Sequence, residues 1–290
     1  PFARRAGLVG EPSLYEEEAL LRRQPSNSIS PDNLAVEMQD VWYAYPGTAQ
    51  PALRGVHLQV AQGEFVALMG RNGSGKSTLL KHLIGLLQPQ RGQVRIAGRD
   101  TRRHSVEELA RWVGYVPQNP GALLFQDTLR QELEFTLRNY GLPPRDYSLL
   151  VRTLGLESHL ERYPRDLSAG ERQRAALAAI LVVEPPIILL DEPTRGLDYP
   201  QKRFLAGFLK SQKALGKTII MSTHDVELVA ECADRVVLLG EGEVIVDGPA
   251  RRVMTSSMIF ASQVNKLLRD DRCLTVEDVL AGMPPAEAPR

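Results

Sequence analysis

Cysteine is almost missing from this chain. Cys232 and Cys273 are the only two among 290 residues, and they stand far apart. That excludes a disulfide framework and a cysteine-based zinc site, and it fits a reducing, cytoplasmic setting. Net charge is missing too, since 35 Lys and Arg balance 35 Asp and Glu. Proteins that follow a nucleic-acid backbone ordinarily carry a basic excess, so no nucleic-acid partner is expected. Long apolar runs are also lacking. The longest candidate, Ala175 to Val183, stops at Glu184-Pro185-Pro186, well short of the roughly 20 residues of a membrane span. Pro1-Phe2-Ala3-Arg4-Arg5 has no apolar core behind it and does not read as a secretory signal. What remains is ordinary globular material, 43% hydrophobic and 24% charged, enough for one large domain with additions or two modest ones.

What the sequence does hold is a phosphate-binding loop. Met69-Gly70-Arg71-Asn72-Gly73-Ser74-Gly75-Lys76-Ser77-Thr78 satisfies G-x-x-x-x-G-K-[ST]. Phe65 to Met69 reads as a buried strand before it, and Thr78 to Ile84 as a helix after it. Glycines at 70, 73 and 75 let the backbone turn so that several N–H groups point at one phosphate. The helix start adds unpaired N–H groups and the positive end of its dipole. Lys76 is placed to reach the outer phosphates, and the Ser77 hydroxyl to meet Mg²⁺.

Around this loop the chain reads as an α/β protein. Residues 1–33 have the composition of a leader or linker, with a short helix at Glu16 to Arg23. Strands at Ala35–Met38, Val56–Val60 and Val94–Asp100 form an antiparallel section, with the aromatic cluster Trp42-Tyr43-Ala44-Tyr45 between the first two. Ser105 to Glu108 is a capping box, and Val113 to Gln118 the next strand. Residues 119–167 lack strand signals and read as a helical insertion, with helices at Thr128–Asn139 and Tyr147–Leu154. Ser168-Ala169-Gly170-Glu171 is a second capping box, opening a helix to about Val183. Ile187 to Asp191, Thr218 to Ser222 and Val236 to Leu239 then alternate with helices at Phe204–Leu215 and Val226–Cys232, the pattern of right-handed βαβ units. Glu243 to Gly248 is a last edge strand. Residues 249–290 read as a helical extension with a Pro-rich tail.

The chemistry gathers near strand ends. Asp191 closes the apolar run Ile187-Ile188-Leu189-Leu190, where a phosphate-loop enzyme needs a carboxylate for Mg²⁺. Glu192 follows it, placed to act on the water that attacks the outer phosphate. Gln118 ends a strand with a neutral amide suited to Mg²⁺ or that water, and His224 follows the strand Thr218–Ser222.

Taken together these residues resemble the ATP-binding-cassette (ABC) ATPases over about residues 34–248. Leu167-Ser168-Ala169-Gly170-Glu171 is similar to that family's signature motif, Gln118 to its Q-loop glutamine, Arg195-Gly196-Leu197-Asp198 to its D-loop, His224 to its switch histidine, and Tyr45 to the aromatic that stacks on adenine. The resemblance implies a P-loop core with a mixed sheet, an antiparallel β subdomain and a helical subdomain. It implies ATP with Mg²⁺, and two cassettes closing head to tail, each ATP lying between the P-loop of one and the signature motif of the other. The usual signature is Leu-Ser-Gly-Gly-Gln. Here Ala169 adds a Cβ near the expected phosphate, and Glu171 puts a charge where an amide is usual.

Within the family the chain is most similar to the energy-coupling-factor (ECF) type of micronutrient importer. Gln118-Asn119-Pro120, Leu124 to Thr128, Glu132 to Phe135 and Asp191 to Asp198 carry that likeness. It implies a separate integral membrane transport subunit, a place at the cytoplasmic face of the membrane, and a second ATPase domain. That domain is another copy, a different chain, or a neighbour in one polypeptide; the Pro1 start and residues 1–33 fit the last. Gly121 to Phe125 is the candidate groove for the membrane subunit, and residues 256–280 resemble the helical region that joins two cassettes. The competing expectation is a non-transport ABC ATPase acting on nucleic acid or the ribosome.

Overall fold

The computed structural model describes residues 33–256, 262–268, 270 and 273–282. The expected helix at Glu16–Arg23 and the Pro-rich tail lie outside the described residues. Two sheets make the frame. One is antiparallel, in the order β2-β1-β4-β5 (Leu53–Ala61, Leu34–Tyr43, Arg91–Ile96 and Arg99–Asp100). The other has the order β10-β9-β3-β8-β7-β6 (Glu243–Pro249, Arg235–Gly240, Phe65–Met69, Thr218–Ser222, Ile187–Asp191 and Val113–Val116). In it β9, β3, β8, β7 and β6 run parallel, and only β10 is antiparallel. This is the mixed-sheet α/β architecture the sequence leads one to expect.

The apolar runs become central strands because both their faces are covered. Every residue of β3, β7 and β8 is buried. The side-chain period of two divides each strand between two cores. Phe65, Ala67, Met69, Ile188, Leu190, Ile219 and Met221 face the core shared with the helices α5 (Ala169–Leu181) and α6 (Tyr199–Ala214). Val66, Leu68, Ile187, Leu189 and Ile220 face the core shared with the antiparallel sheet and α1 (Lys76–Leu83).

Some boundaries move. β1 runs on through Trp42 and Tyr43, across register shifts that hide its alternation, so the connection to β2 begins only at Ala44. α6 starts at Tyr199, five residues before the sequence pattern becomes apolar, because Asp198 and Gln201 form a capping box there. The short α2 (Val106–Ala110) leads into β6, and the 119–167 segment holds two α-helices, α3 (Leu129–Asn139, capped by Thr128) and α4 (Ser148–Thr153), with one 3₁₀ turn before the pair and two after it. Downstream of β10 come the short helices α8 (Ala250–Thr255), α9 (Gln263–Leu268) and α10 (Val276–Gly282), preceded in the core by α7 (Val226–Cys232). α10 is tied to α8 by the Arg251–Asp278 ion pair at 3.0 Å.

Arg235, at the start of β9, fastens three strands. Its guanidinium donates to Asp247 on β10, to the Gln59 carbonyl on β2 at 2.9 Å, and to Glu64 beside β3 at 3.2 Å. Burial works against its charge, and Asp247 and Glu64 more than offset that, so it stays protonated. Arg235→Ala would leave two carboxylates without their cation, and we expect a loss of about 3 kcal/mol. The check is a urea titration in which the midpoint falls while the slope is unchanged.

Candidate functional site

The order β3-β8-β7-β6 sets the carboxyl ends of four parallel strands side by side. In open α/β sheets ligands bind outside those ends. The sequence puts its chemistry there: the glycine loop after β3, Ser222 to His224 after β8, Asp191 and Glu192 at the end of β7, and Gln118 two residues past β6.

The loop from Gly70 to Gly75 is tightly boxed. Gly70 has φ +139°, and a Cβ there would come within 2.2 Å of the Leu239 carbonyl. Gly75 is the N-cap of α1, and no side chain caps that helix, so its first N–H groups remain available. The Ser74 hydroxyl is buried without a hydrogen-bond partner within the protein. Lys76 is buried, and its ammonium donates to the Gly70 carbonyl at 2.8 Å and the Arg71 carbonyl at 3.1 Å. Burial lowers its pKa; Glu192 and Asp191 pull the other way.

Asp191 is buried and accepts from three hydroxyls: Ser77 at 3.1 Å, Ser222 at 2.5 Å and Tyr115 at 3.3 Å. Burial, then the Asp191 charge, push the Tyr115 phenol far up, so it stays a donor. Glu192 adopts φ +50°, a left-handed conformation uncommon for such a residue. Its N–H donates to the Ser222 carbonyl at 2.9 Å. That turn aims its carboxylate at His224 Nε2, 3.2 Å away. His224 also lies 3.0 Å from Asn72 Oδ1 and 3.4 Å from Lys76 Nζ. Asn72, Gln118, Glu192 and His224 line one open cleft of about 650 Å³, with Thr194 and Arg195 on its wall. Gln118 thus sits on the cleft, while the bonds to Asp191 come from other residues.

Tyr45 stands on the far flank of the loop. Its hydroxyl is 3.2 Å from Thr78 Oγ1, and its ring packs edge-on against Tyr43, which packs in turn on His82. Ser168 and Glu171 form a complete capping box at the start of α5. Among the described residues, none of the side chains bonded around Asp191 or lining the Glu192 cleft comes from Ser168, Ala169, Gly170 or Glu171. Asp198 is likewise elsewhere, capping α6.

Comparison with known proteins agrees with this geometry. The ABC transporter family matches residues 53–195. An energy-coupling factor transporter ATP-binding protein of Methanothermobacter thermautotrophicus is 40% identical over 73% of this chain and 70% of its own length. The chain belongs to the ABC transporter ATP-binding proteins. An ABC transporter ATP-binding protein of Streptomyces coelicolor is 46% identical over 89% of this chain but only 45% of its own length. The chain spans under half the length of such relatives. Among solved structures, a CbiO1 from Clostridium perfringens, part of a CbiONQ transporter complex, has a TM-score of 0.69 at 31% identity, covering 82% of this chain and 96% of that one. A dimeric ATP-binding cassette in a post-hydrolysis state with ADP and Pi has a TM-score of 0.68 at 30% identity, covering 74% of this chain and 98% of that one.

As an ABC cassette the chain must accept ATP, and the residues fit it. The unpartnered Ser74 hydroxyl, the uncapped α1 and the Lys76 ammonium form a cradle for phosphates. The Ser77 hydroxyl and Asp191 carboxylate are too few to cage a metal alone. They suit Mg²⁺, which takes its other ligands from phosphates and water. Two contributors escape a reading of the sequence. Ser222 is signalled only by ending a strand next to Asp191, and Tyr115 by nothing at all.

Glu171 accepts from the Ser168 N–H and from His159, and those bonds, the backbone one first, lower its pKa from 4.5 to about 2. A depressed carboxylate stabilises the fold above its ordinary value and loses that contribution as pH falls through the folded one. The urea-midpoint advantage of the parent over Glu171→Gln should therefore be full at pH 7 and shrink between about pH 4.5 and 2. A margin unchanged across that range would remove the bonds' contribution.

Proposed function

We propose that this chain is the ATP-hydrolysing half of a paired cassette that powers transmembrane transport. The observation that carries the proposal is the separation of two anion sites. The P-loop cluster contains a phosphate cradle, a metal-binding pair and a Glu–His dyad, yet the signature residues Ser168, Ala169 and Gly170 share no bond with it. Ser168 to Gly170 begin a 13-residue helix whose N-terminus is a second phosphate site. A second cassette brings the two kinds of site together. The dimeric post-hydrolysis cassette supports that arrangement.

In this reading Tyr45 stacks on adenine, the 70–78 loop and Lys76 hold the phosphates, and Ser77, Asp191 and Gln118 hold Mg²⁺. Mg²⁺ held there would supply positive charge to the phosphates. Glu192 takes a proton from the attacking water, whose oxygen bonds to the γ-phosphorus as the bond to the ADP oxygen breaks. His224 holds Glu192 in place at 3.2 Å and is itself held by Asn72. Asp198 caps the helix whose Gln201 side chain lies against Gly170.

The transport assignment, import of the energy-coupling-factor type, is supported by the Methanothermobacter relative and the CbiO1 neighbour. Among the described residues no helix is long and apolar enough to cross a membrane. A separate membrane subunit at the cytoplasmic face supplies the path. Phe125 is the contact we assign to it. The buried Glu132 carboxylate accepts from the N–H groups of Phe125 and Gln126 at 2.7 and 2.9 Å, holding the loop while the Phe125 ring stays 61% exposed.

Two measurements test this. Glu192→Gln should keep ATP binding, lower turnover by about 100-fold or more, and run as a dimer with ATP in size-exclusion chromatography. Turnover at the parent rate would take Glu192 out of the mechanism. Phe125→Asp, reconstituted with the membrane subunit in vesicles, should lose ATP-driven uptake while its basal hydrolysis without that subunit is unchanged. Uptake at the parent level would remove the Phe125 contact.

A further inference from the structure

Glu171 is the least expected residue of the signature turn, because a carboxylate at a phosphate site repels the ligand. The structure occupies both of its oxygens. Oε2 accepts from the Ser168 N–H at 2.8 Å, and Oε1 lies 2.8 Å from His159 Nε2. The return bond of the capping box, from the Glu171 N–H to Ser168 Oγ, is long at 3.4 Å. The box therefore leans on the Glu171 carboxylate, and the place of that carboxylate depends on His159.

His159 is built for this. It ends a 3₁₀ turn, Glu157–His159, in the segment between α4 and α5, and its side chain is only 13% exposed. Ser158 Oγ lies 3.1 Å from its Nδ1. With the Ser158 hydroxyl donating to Nδ1, Nε2 carries the proton and donates to Glu171. The opposite side of the turn is braced from α6. A Cβ on Gly170 would come 2.5 Å from the Gln201 amide, which is itself tied to the N-cap Asp198. Arg172 also donates to the Leu167 carbonyl at 2.8 Å.

We propose that His159 is a positioning residue: through Glu171 it holds the Ser168–Gly170 turn in the shape that meets the ATP of the partner cassette. This rests on the paired-cassette reading above. The hydrogen-bonding His–Glu pair does here what an amide in place of Glu171 would do by itself, presenting a fixed N-terminal turn while keeping the carboxylate engaged from behind.

The test uses ATP-dependent pairing of the chain in a Glu192→Gln background, followed by light scattering. His159→Ala should raise the ATP concentration for half-maximal pairing by about 5–30-fold. Binding of a fluorescent ATP analogue to the unpaired chain should not change, because His159 is remote from the P-loop. His159→Gln, whose amide can still donate to Glu171, should restore most of the response, which a merely space-filling role would not require. Ala169→Glu is the companion variant. Ala169 is exposed at the first position of α5, where an acidic residue suits the helix but repels a phosphate. It should abolish pairing. If Ala169→Glu pairs like the parent, the paired-site reading fails and the role of His159 with it. If Ala169→Glu blocks pairing while His159→Ala pairs at the parent's ATP concentration, the reading stands and His159 is not its positioning residue. A His159→Gln variant as impaired as His159→Ala would also overturn the proposal.

Discussion

One carboxylate holds the site together. Asp191 is buried at the end of β7 and, among the described residues, has no Lys or Arg paired with it; it is kept in place by hydroxyls from Ser77 on α1, Ser222 on β8 and Tyr115 on β6. A buried carboxylate is tolerable only where donors replace the water it has lost. Because the three donors come from three different elements, satisfying Asp191 also fixes the loop helix against the sheet. The sheet order makes this possible: only with β8 between β3 and β7, and β6 on the far side of β7, do these groups reach one point. The same arrangement leaves the Ser77 hydroxyl and Asp191 adjacent, an oxygen pair that would hold Mg²⁺ together with phosphate and water ligands.

The dyad beside it is held by a strained turn instead of a covered face. Glu192 leaves the sheet with a left-handed backbone, a cost of order 1–3 kcal/mol. The bond from its N–H to the Ser222 carbonyl and the packing of the strand end offset that cost. The result is that two consecutive acidic residues point different ways. Asp191 turns into the protein toward the hydroxyls, and Glu192 turns out toward His224 and the cleft. An extended backbone would also separate them, but it would send Glu192 along the strand direction and away from Asn72 and Lys76.

The legible part of the site was the part encoded in local pattern. Four apolar residues before Asp191, and five from Phe65 to Met69, can only be buried strands once a glycine loop or an acidic pair ends them. The capping boxes at Ser105 and Ser168 were readable because both partners lie three residues apart. Tyr115, Ser222 and His159 were not readable as contributors. Each acts through a bond to a residue distant along the chain or across a sheet, and nothing in its own neighbours announces that bond. The start of α6 was hidden for a related reason: Tyr199-Pro200-Gln201 carries no apolar period, and what starts the helix is a polar cap made by Asp198 and Gln201.

That cap bears on why the signature glycine is a glycine. Gly170 has an ordinary helical backbone, so conformational freedom does not require it. What requires it is the Gln201 amide pressed against its Cα, where even a methyl group would stand 2.5 Å from the amide atoms. Gln201 cannot easily withdraw, because its Oε1 accepts from the Asp198 N–H and its own N–H donates to the Asp198 carboxylate. The Gln201 side chain thus joins the start of α6 to the start of α5, Asp198 on one side and Gly170 on the other. The segment from Glu192 to Asp198 is short and passes directly from the Glu192 carboxylate to the start of α6. In the paired cassette proposed above, the Gln201 packing against Gly170 and then seven residues of chain would link Ser168–Gly170 to this chain's own Glu192.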